Sequence, residues 1–375
     1  MTLPIRAIQA VRPQASAGVI AGAAVVAAVF AATPFLLPDV SARLDITLGL
    51  TGALSTAQVA SFALASFLAG RLFKPRRRLH YGSLALIAIS CGASALVTSF
   101  PILVSTRVAS GIGMGILTWI AWADATRFSK GLGQVAAVAP ITAAIASPII
   151  GWLIGRGGYP WVFATLGLIA AIAMVFKVDF GDLPRIGRKM SSSKTNRVLL
   201  FAMLLLSLGG SAVFIFAAAV GEAVVGLSPV TIAFALSLNA LAGVAGTRFN
   251  ARRGKAGLWL AGAAFAALAL GNLAEPIWFF VAMFVWGFSY WMVVPAVFRL
   301  LAARSLTPSE RIGDAQALMA VGRVFGPVLG GVAVAGGDFS RLSGTGSIVM
   351  FCAAGIVFVV EAARRRAGLR MDAIA

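Results

Sequence analysis

Gly322-Arg323-Val324-Phe325-Gly326-Pro327-Val328-Leu329-Gly330-Gly331 lies inside an apolar run from about Ile312 to Ala335. A run of this length crosses a bilayer as one helix, since a span needs roughly 20 residues at a rise of about 1.5 Å each. Arg323 then sits near the membrane centre, where an arginine costs roughly 2.5–3.5 kcal/mol on insertion scales. It must face a polar or wet interior rather than lipid. Pro327 removes a backbone hydrogen bond in mid-helix and allows a bend.

Working outward, apolar runs of this kind recur along all 375 residues. Hydrophobic residues make up 60% of the chain and charged ones 11%, against about 25% charged in soluble domains. The pattern is that of a polytopic membrane protein with no segment long enough for a soluble domain. Twelve spans are predicted, at about 17–38, 50–70, 79–98, 101–122, 134–154, 160–177, 198–220, 229–248, 256–273, 276–298, 312–335 and 344–361. The first is too long for a signal-peptide core, and eleven more follow it.

The net charge of +19 would suggest nucleic acid in a soluble protein. Here its distribution sets topology. With the N-terminus inside, the inside segments hold 26 of the 31 Arg and Lys residues. The outside loops hold three (Arg43, Arg156, Arg341), and the spans hold Arg107 and Arg323. The positive-inside rule then puts both termini in the cytoplasm of a multi-pass cell-membrane protein, plasma or inner membrane. The expected partners are the lipid bilayer and a small-molecule substrate, with no nucleic acid, and the expected working unit is a monomer. Cys91 and Cys352 both fall in spans and read as small buried apolar residues. No acid–histidine cluster, Cys-rich site or phosphate loop is present, so neither an enzyme nor a cofactor or metal is expected.

The second half repeats the first. Gly221-Glu222 closes span 7 as Pro38-Asp39 closes span 1, and Gly226-Leu227-Ser228 opens span 8 as Gly49-Leu50-Thr51 opens span 2. The basic loop after Gly246 follows span 8 as the loop after Gly70, with Lys74 and Arg76–Arg78, follows span 2. Gly326-Pro327 in span 11 answers Ser147-Pro148 in span 5. The offsets are 183, 177, 176 and 179 residues. The expected fold is all-α, with twelve transmembrane helices in two pseudo-symmetric six-helix bundles. Its expected parts are a cytoplasmic tail (1–16), a first bundle (17–177), a cytoplasmic linker (178–197), a second bundle (198–361) and a closing tail (362–375).

Polar groups inside spans nominate a site, because the membrane makes them expensive. Gln58 leads a polar stripe in span 2 (Ser55, Thr56, Gln58, Ser61, Ser66) and needs either a ligand or a neighbouring helix. Arg107 in span 4 either contacts substrate or caps carbonyls. Trp119, Asn239, Tyr290 and Trp291 join Arg323 as candidate cavity residues, and the Tyr290 hydroxyl at that depth needs a partner. The partners considered for Arg323 are a substrate anion, Gln58, Asn239 or a freed carbonyl. Trp122 reads as an interfacial aromatic and His80 as a solvated interfacial residue. Asp39 and Glu222, at the outer span ends, are the carboxylates open to coupling with a proton or counter-ion.

Six plus six spans around a basic linker resemble the major facilitator superfamily over essentially the whole chain. The Gly70 loop is similar to the family's loop between helices 2 and 3, except that Lys74 stands at its acidic position and Asn250 at the repeat position. Arg107, Gly111 and Gly115 resemble its helix 4 signature. The Gly322–Gly331 stretch matches a glycine-proline pattern of antiporter helix 5, here placed in helix 11. The resemblance implies a central cavity between helices 1, 4, 7 and 10, and rocking halves that meet at helices 2, 5, 8 and 11. Gly70, Arg76, Pro148, Gly246, Asn250, Gly326, Pro327 and Gly330 are then gating or hinge residues. The function so implied is secondary transport of a small organic solute by alternating access. Deep arginines without a deep carboxylate favour an anionic substrate. The alternative is proton-coupled efflux of hydrophobic compounds or drugs.

Overall fold

A computed structural model describes residues 16–125, 131–180, 194–249, 255–302 and 308–366. Among them the first six helices are α1 (Ala17–Leu44), α2 (Leu48–Leu72), α3 (Arg77–Leu96), α4 (Phe100–Ala125), α5 (Gly131–Gly157) and α6 (Tyr159–Ala173). The second six are α7 (Lys194–Phe214), α8 (Pro229–Phe249), α9 (Ala256–Leu270), α10 (Pro276–Ala302), α11 (Pro308–Ala333) and α12 (Phe339–Arg366). A short helix, Ala217–Ala223, continues α7 after a two-residue break. Ten of these segments, α7 taken with its continuation, are long and apolar enough to span a membrane. The other two, α6 and α9, have 15 residues each.

Each half builds the same packing. In the first, α2 packs on α4, α1 on α5, and α3 on α4 and α6. In the second, α8 packs on α10, α7 on α11, and α9 on α10 and α12. Every pair in one half reappears six helices later, which is the repeat expressed as tertiary structure.

Helix boundaries follow local chemistry. α1 runs past Pro34 and Pro38 to Leu44, further than the expected end at 38. Asp45 then stops it in the left-handed conformation (φ 50°), with its N–H returned to the Ser41 carbonyl; aspartate tolerates this region. Thr47 caps α2 by accepting from the Leu50 N–H at 3.4 Å. The chain turns into α6 at Gly158 (φ 72°), a value that favours glycine. The first N–H of α6, at Tyr159, is taken by Asp39 of α1 at 2.6 Å. Glu361 of α12 does the same for α9, accepting from Ala256 and Gly257 at 2.8 and 3.2 Å. Helix N-termini carry unpaired donors and partial positive charge, so a carboxylate there is stabilising.

The halves meet where α2 packs on α11 and α5 on α8. At the end of the bundle opposite the termini these contacts are glycine-deep. Gly49 lies against the Gly331 carbonyl and Gly52 against the Pro327 carbonyl. Gly151 of α5 lies against Pro229 and Ala233 of α8. Small residues allow helix axes to approach this closely.

Candidate functional site

The position of Arg323 follows from the faces of α11. Val321, Phe325, Val328 and Val332 are 40–64% exposed and form the lipid side. Gly322, Gly326 and Gly330 lie against Leu204, Leu208, Ser211 and Ala212 of α7. Pro327 and Gly331 meet α2. At about 100° per residue, Arg323 projects between the α7 and α2 directions, away from lipid. It is half-buried, and its Nη2 donates to the Tyr290 hydroxyl of α10 at 3.2 Å. No carboxylate pairs with it among the described residues. Gln316, two turns earlier on the same face, is exposed.

The partner of Arg323 is thus Tyr290, rather than Gln58, Asn239 or a freed carbonyl. The signal was present in the sequence as a hydroxyl at depth on an aromatic helix. Trp291 stands edge-on to Tyr290 with centroids 5.9 Å apart, and its ring fills the space over Gly243 while its Cβ lies over Gly246. Asn239 donates to the Met283 carbonyl at 2.8 Å, which ties α8 to α10. Its own backbone lies on Gly287.

Arg107 and Gln58 meet each other within the first half, and for both the neighbouring-helix alternative of the sequence reading is the contact the structure supplies. Arg107 is 2% exposed and Gln58 is 4% exposed. The Arg107 guanidinium donates to Ser94 Oγ at 2.6 Å, the Ser90 carbonyl at 3.4 Å and Gln58 Oε1 at 3.5 Å. Its central carbon stands 4.2 Å from the centroid of the Phe163 ring, a cation–π arrangement, and the Cys91 sulfur lies beside it. This arginine binds α2, α3, α4 and α6 into one unit. Phe163, Ser90 and Ser94 completed the arrangement without any mark in the sequence, because their partners lie 13 to 56 residues away along the chain.

Two further expectations change. His80 is 1% exposed rather than solvated; its ring packs edge-on to Tyr81 and against Phe180, beneath the segment that follows α6. Cys352 is exposed, while Cys91 is buried as expected. Asp39 is committed to Tyr159 and to Arg43, at 3.1 Å. The Glu222 carboxylate, by contrast, makes no hydrogen bond or ion pair among the described residues. It lies on the short helix that packs against α1.

Among the hinge candidates, Gly326 and Gly330 seat α11 on α7, and Pro327 reaches α2. Pro148 lies within α5. Gly70 lies under the Trp119 indole, and Gly246 faces Phe288 and Trp291. Arg76 is exposed just before α3. Asn250 lies outside the described residues. A crevice on the flank of α1, α5 and α6, lined by Ala28, Ile149, Leu153, Thr165, Leu166 and Ile169, is apolar apart from Thr165 and carries no charged group.

The chain is similar to known transport proteins in sequence and in fold. It is 27% identical to a chloramphenicol resistance protein of Streptomyces lividans over 323 residues, covering 78% of this chain and 82% of the relative. A local match at 35% identity over 114 residues links it to a multidrug resistance protein B homolog of Mycobacterium tuberculosis, of which it covers 21%. A bacterial homologue of the human lysosomal transporter Spinster, inward-facing and occupied, superposes with a TM-score of 0.73 at 14% identity, over 92% of this chain and 96% of that one. The human organic anion transporter MFSD10 superposes with a TM-score of 0.64 at 15% identity, over 91% and 98% of the two chains. These likenesses show the fold. Residues 19–331 match the Major Facilitator Superfamily profile, and with the repeated six-helix packing around α2, α5, α8 and α11 this multi-pass membrane chain belongs to that superfamily.

Proposed function

We propose that the protein is a secondary active exporter of small organic compounds, with a central site built on Arg323 and Tyr290 and a preference for substrates bearing an anionic or strongly electron-rich oxygen group. The carrying observation is Arg323 itself. It is a half-buried guanidinium within a span, turned away from lipid, and held by one neutral phenol at 3.2 Å. A fixed positive charge in a low-dielectric interior attracts an anion or a strong acceptor. The planar fork of the guanidinium suits a group with two coplanar oxygens. Export is favoured by the resistance proteins among the relatives.

Proton-coupled efflux is the form of this activity that Glu222 favours. It is the one of the two outer carboxylates left without a partner among the described residues, whereas Asp39 holds a helix end and Arg43. The expected orientation keeps both termini in the cytoplasm, so that the glycine contacts close the outer side.

Purified protein in proteoliposomes tests the reading, with chloramphenicol and salicylate as probes. Flux of either probe, reduced at least about tenfold by Arg323→Gln, is the expected result. Absence of flux for any compound that binds and stabilises the protein would overturn it.

A further inference from the structure

Thr56 of α2 departs from the habit of many hydroxyls in the bundle. Ser61, Ser83, Ser94, Ser147, Ser211 and Ser237 each donate to the carbonyl four residues earlier, at 2.6–2.9 Å. Thr56 Oγ1 is buried and makes no hydrogen bond. An unmade bond at a buried hydroxyl is costly, so it needs a reason. Ser16, Ser207, Ser343 and Ser347 share this state, but Ser207 and Ser343 are pressed onto glycines of their own half, at Gly322 and Gly271. Ser16 precedes α1, and Ser347 lies on α12, which packs on α7 and α9 of its own half. Thr56 lies on the face of α2 that meets the other half.

The register between the halves fixes what Thr56 faces. Gly49 meets Gly331 and Gly52 meets Pro327, so each step along α2 is matched by a step back along α11. Positions 49, 52 and 56 follow one helical face. One further turn therefore brings Thr56 level with Arg323 and Val324, just beneath the contacts that join the halves. The guanidinium reaches this level from the second half, and the unpaired hydroxyl reaches it from the first.

We propose that Thr56 is the first half's contribution to the substrate site, donating its hydroxyl to the same oxygen-bearing group that the Arg323 guanidinium binds. The ligand class is a compact organic molecule with a carboxylate, nitro or similar group. One oxygen takes the guanidinium fork and the other the hydroxyl. Such a ligand bridges the halves, so its binding favours the arrangement in which α2 and α11 are together. This inference rests on the transport reading above.

Thr56→Val tests it, because valine keeps the shape and removes only the hydroxyl. A hydroxyl with no ligand role would leave transport unchanged, with thermal stability equal or higher. The expected result is unchanged or raised Tm together with a KM for salicylate or chloramphenicol roughly five- to tenfold higher, restored by Thr56→Ser. The geometry is tested separately in a background with Cys91→Ser and Cys352→Ser. Thr56→Cys with Val324→Cys should cross-link, and Thr56→Cys with the lipid-facing Phe325→Cys should not. Failure of the first pair to cross-link, or normal transport by Thr56→Val, overturns the proposal. A wild-type protein that binds and is stabilised by either probe yet moves neither sinks the transport reading itself, and the shared site with it.

Discussion

Gly49 and Gly331 touch backbone to backbone across the two halves. A Cβ on Gly49 would stand 2.5 Å from the Gly331 carbonyl oxygen, and one on Gly331 would stand 2.6 Å from that of Gly49. Both distances are below ordinary van der Waals contact, so neither position takes a side chain while the halves are together. Gly331→Val should hold this end apart. In protein lacking Cys91 and Cys352, labelling of Thr51→Cys by a membrane-impermeant maleimide should rise several-fold. Gly344→Val, where nothing lies within 4 Å, should leave labelling unchanged.

Gly326 acts within one half, so its substitution should fail differently. A Cβ there meets Ser211 Oγ and stands 2.8 Å from the Leu208 carbonyl. Gly326→Val should cost roughly 1–3 kcal/mol by overpacking. The expected readout is a lower Tm in detergent-solubilised protein, without the selective labelling of Gly331→Val.

Arg107 should be a stability residue. Arg107→Ala removes bonds to Ser94, Ser90 and Gln58 and empties the space over Phe163. A loss of roughly 2–4 kcal/mol is expected from the cavity and the stranded acceptors. Arg107→Lys should recover little, since an ammonium neither lies flat on the ring nor forks between two helices. Fluorescence-detected thermal unfolding checks both.

Tyr290→Phe should separate holding from binding. It removes the only hydrogen bond made by the Arg323 guanidinium among the described residues, at 3.2 Å, and leaves the charge in place. Transport should fall by roughly three- to tenfold, the worth of one hydrogen bond to a charged group. Arg323→Gln should lose more. Equal losses in the two variants would mean that Arg323 acts only through Tyr290.

Asp39→Asn and Glu222→Gln should divide structure from coupling. Asparagine keeps an acceptor for the Tyr159 N–H but loses the charge paired with Arg43, a loss of about 1 kcal/mol in stability. Export driven by an imposed pH gradient should persist in Asp39→Asn and disappear in Glu222→Gln. Persistence in both would remove these carboxylates from coupling.

The fold was legible because the membrane leaves so few options. Without water in the bilayer core, each apolar run must satisfy its own backbone, and helix is then the only single-segment solution. Span positions, the repeat between Ser147-Pro148 and Gly326-Pro327, and the depth of Arg107 and Arg323 all follow from composition and spacing. Boundaries were less legible, since Pro34 and Pro38 are accommodated within α1 rather than ending it.

What only the tertiary structure decided is which polar group meets which. Sequence marked Gln58, Arg107, Tyr290 and Arg323 as costly to bury. It could not pair Arg107 with Gln58 or Arg323 with Tyr290, because those meetings depend on how helices 49 and 33 residues apart are rotated and packed. The same holds for Asp39, whose helix-capping role exists only once α6 starts beside α1. The cost of a buried charge is a property of the residue and the solvent around it. The group that offsets the cost is set by packing, and that is why one deep arginine is enclosed by Ser90, Ser94, Gln58 and Phe163 while the other is held by the Tyr290 hydroxyl.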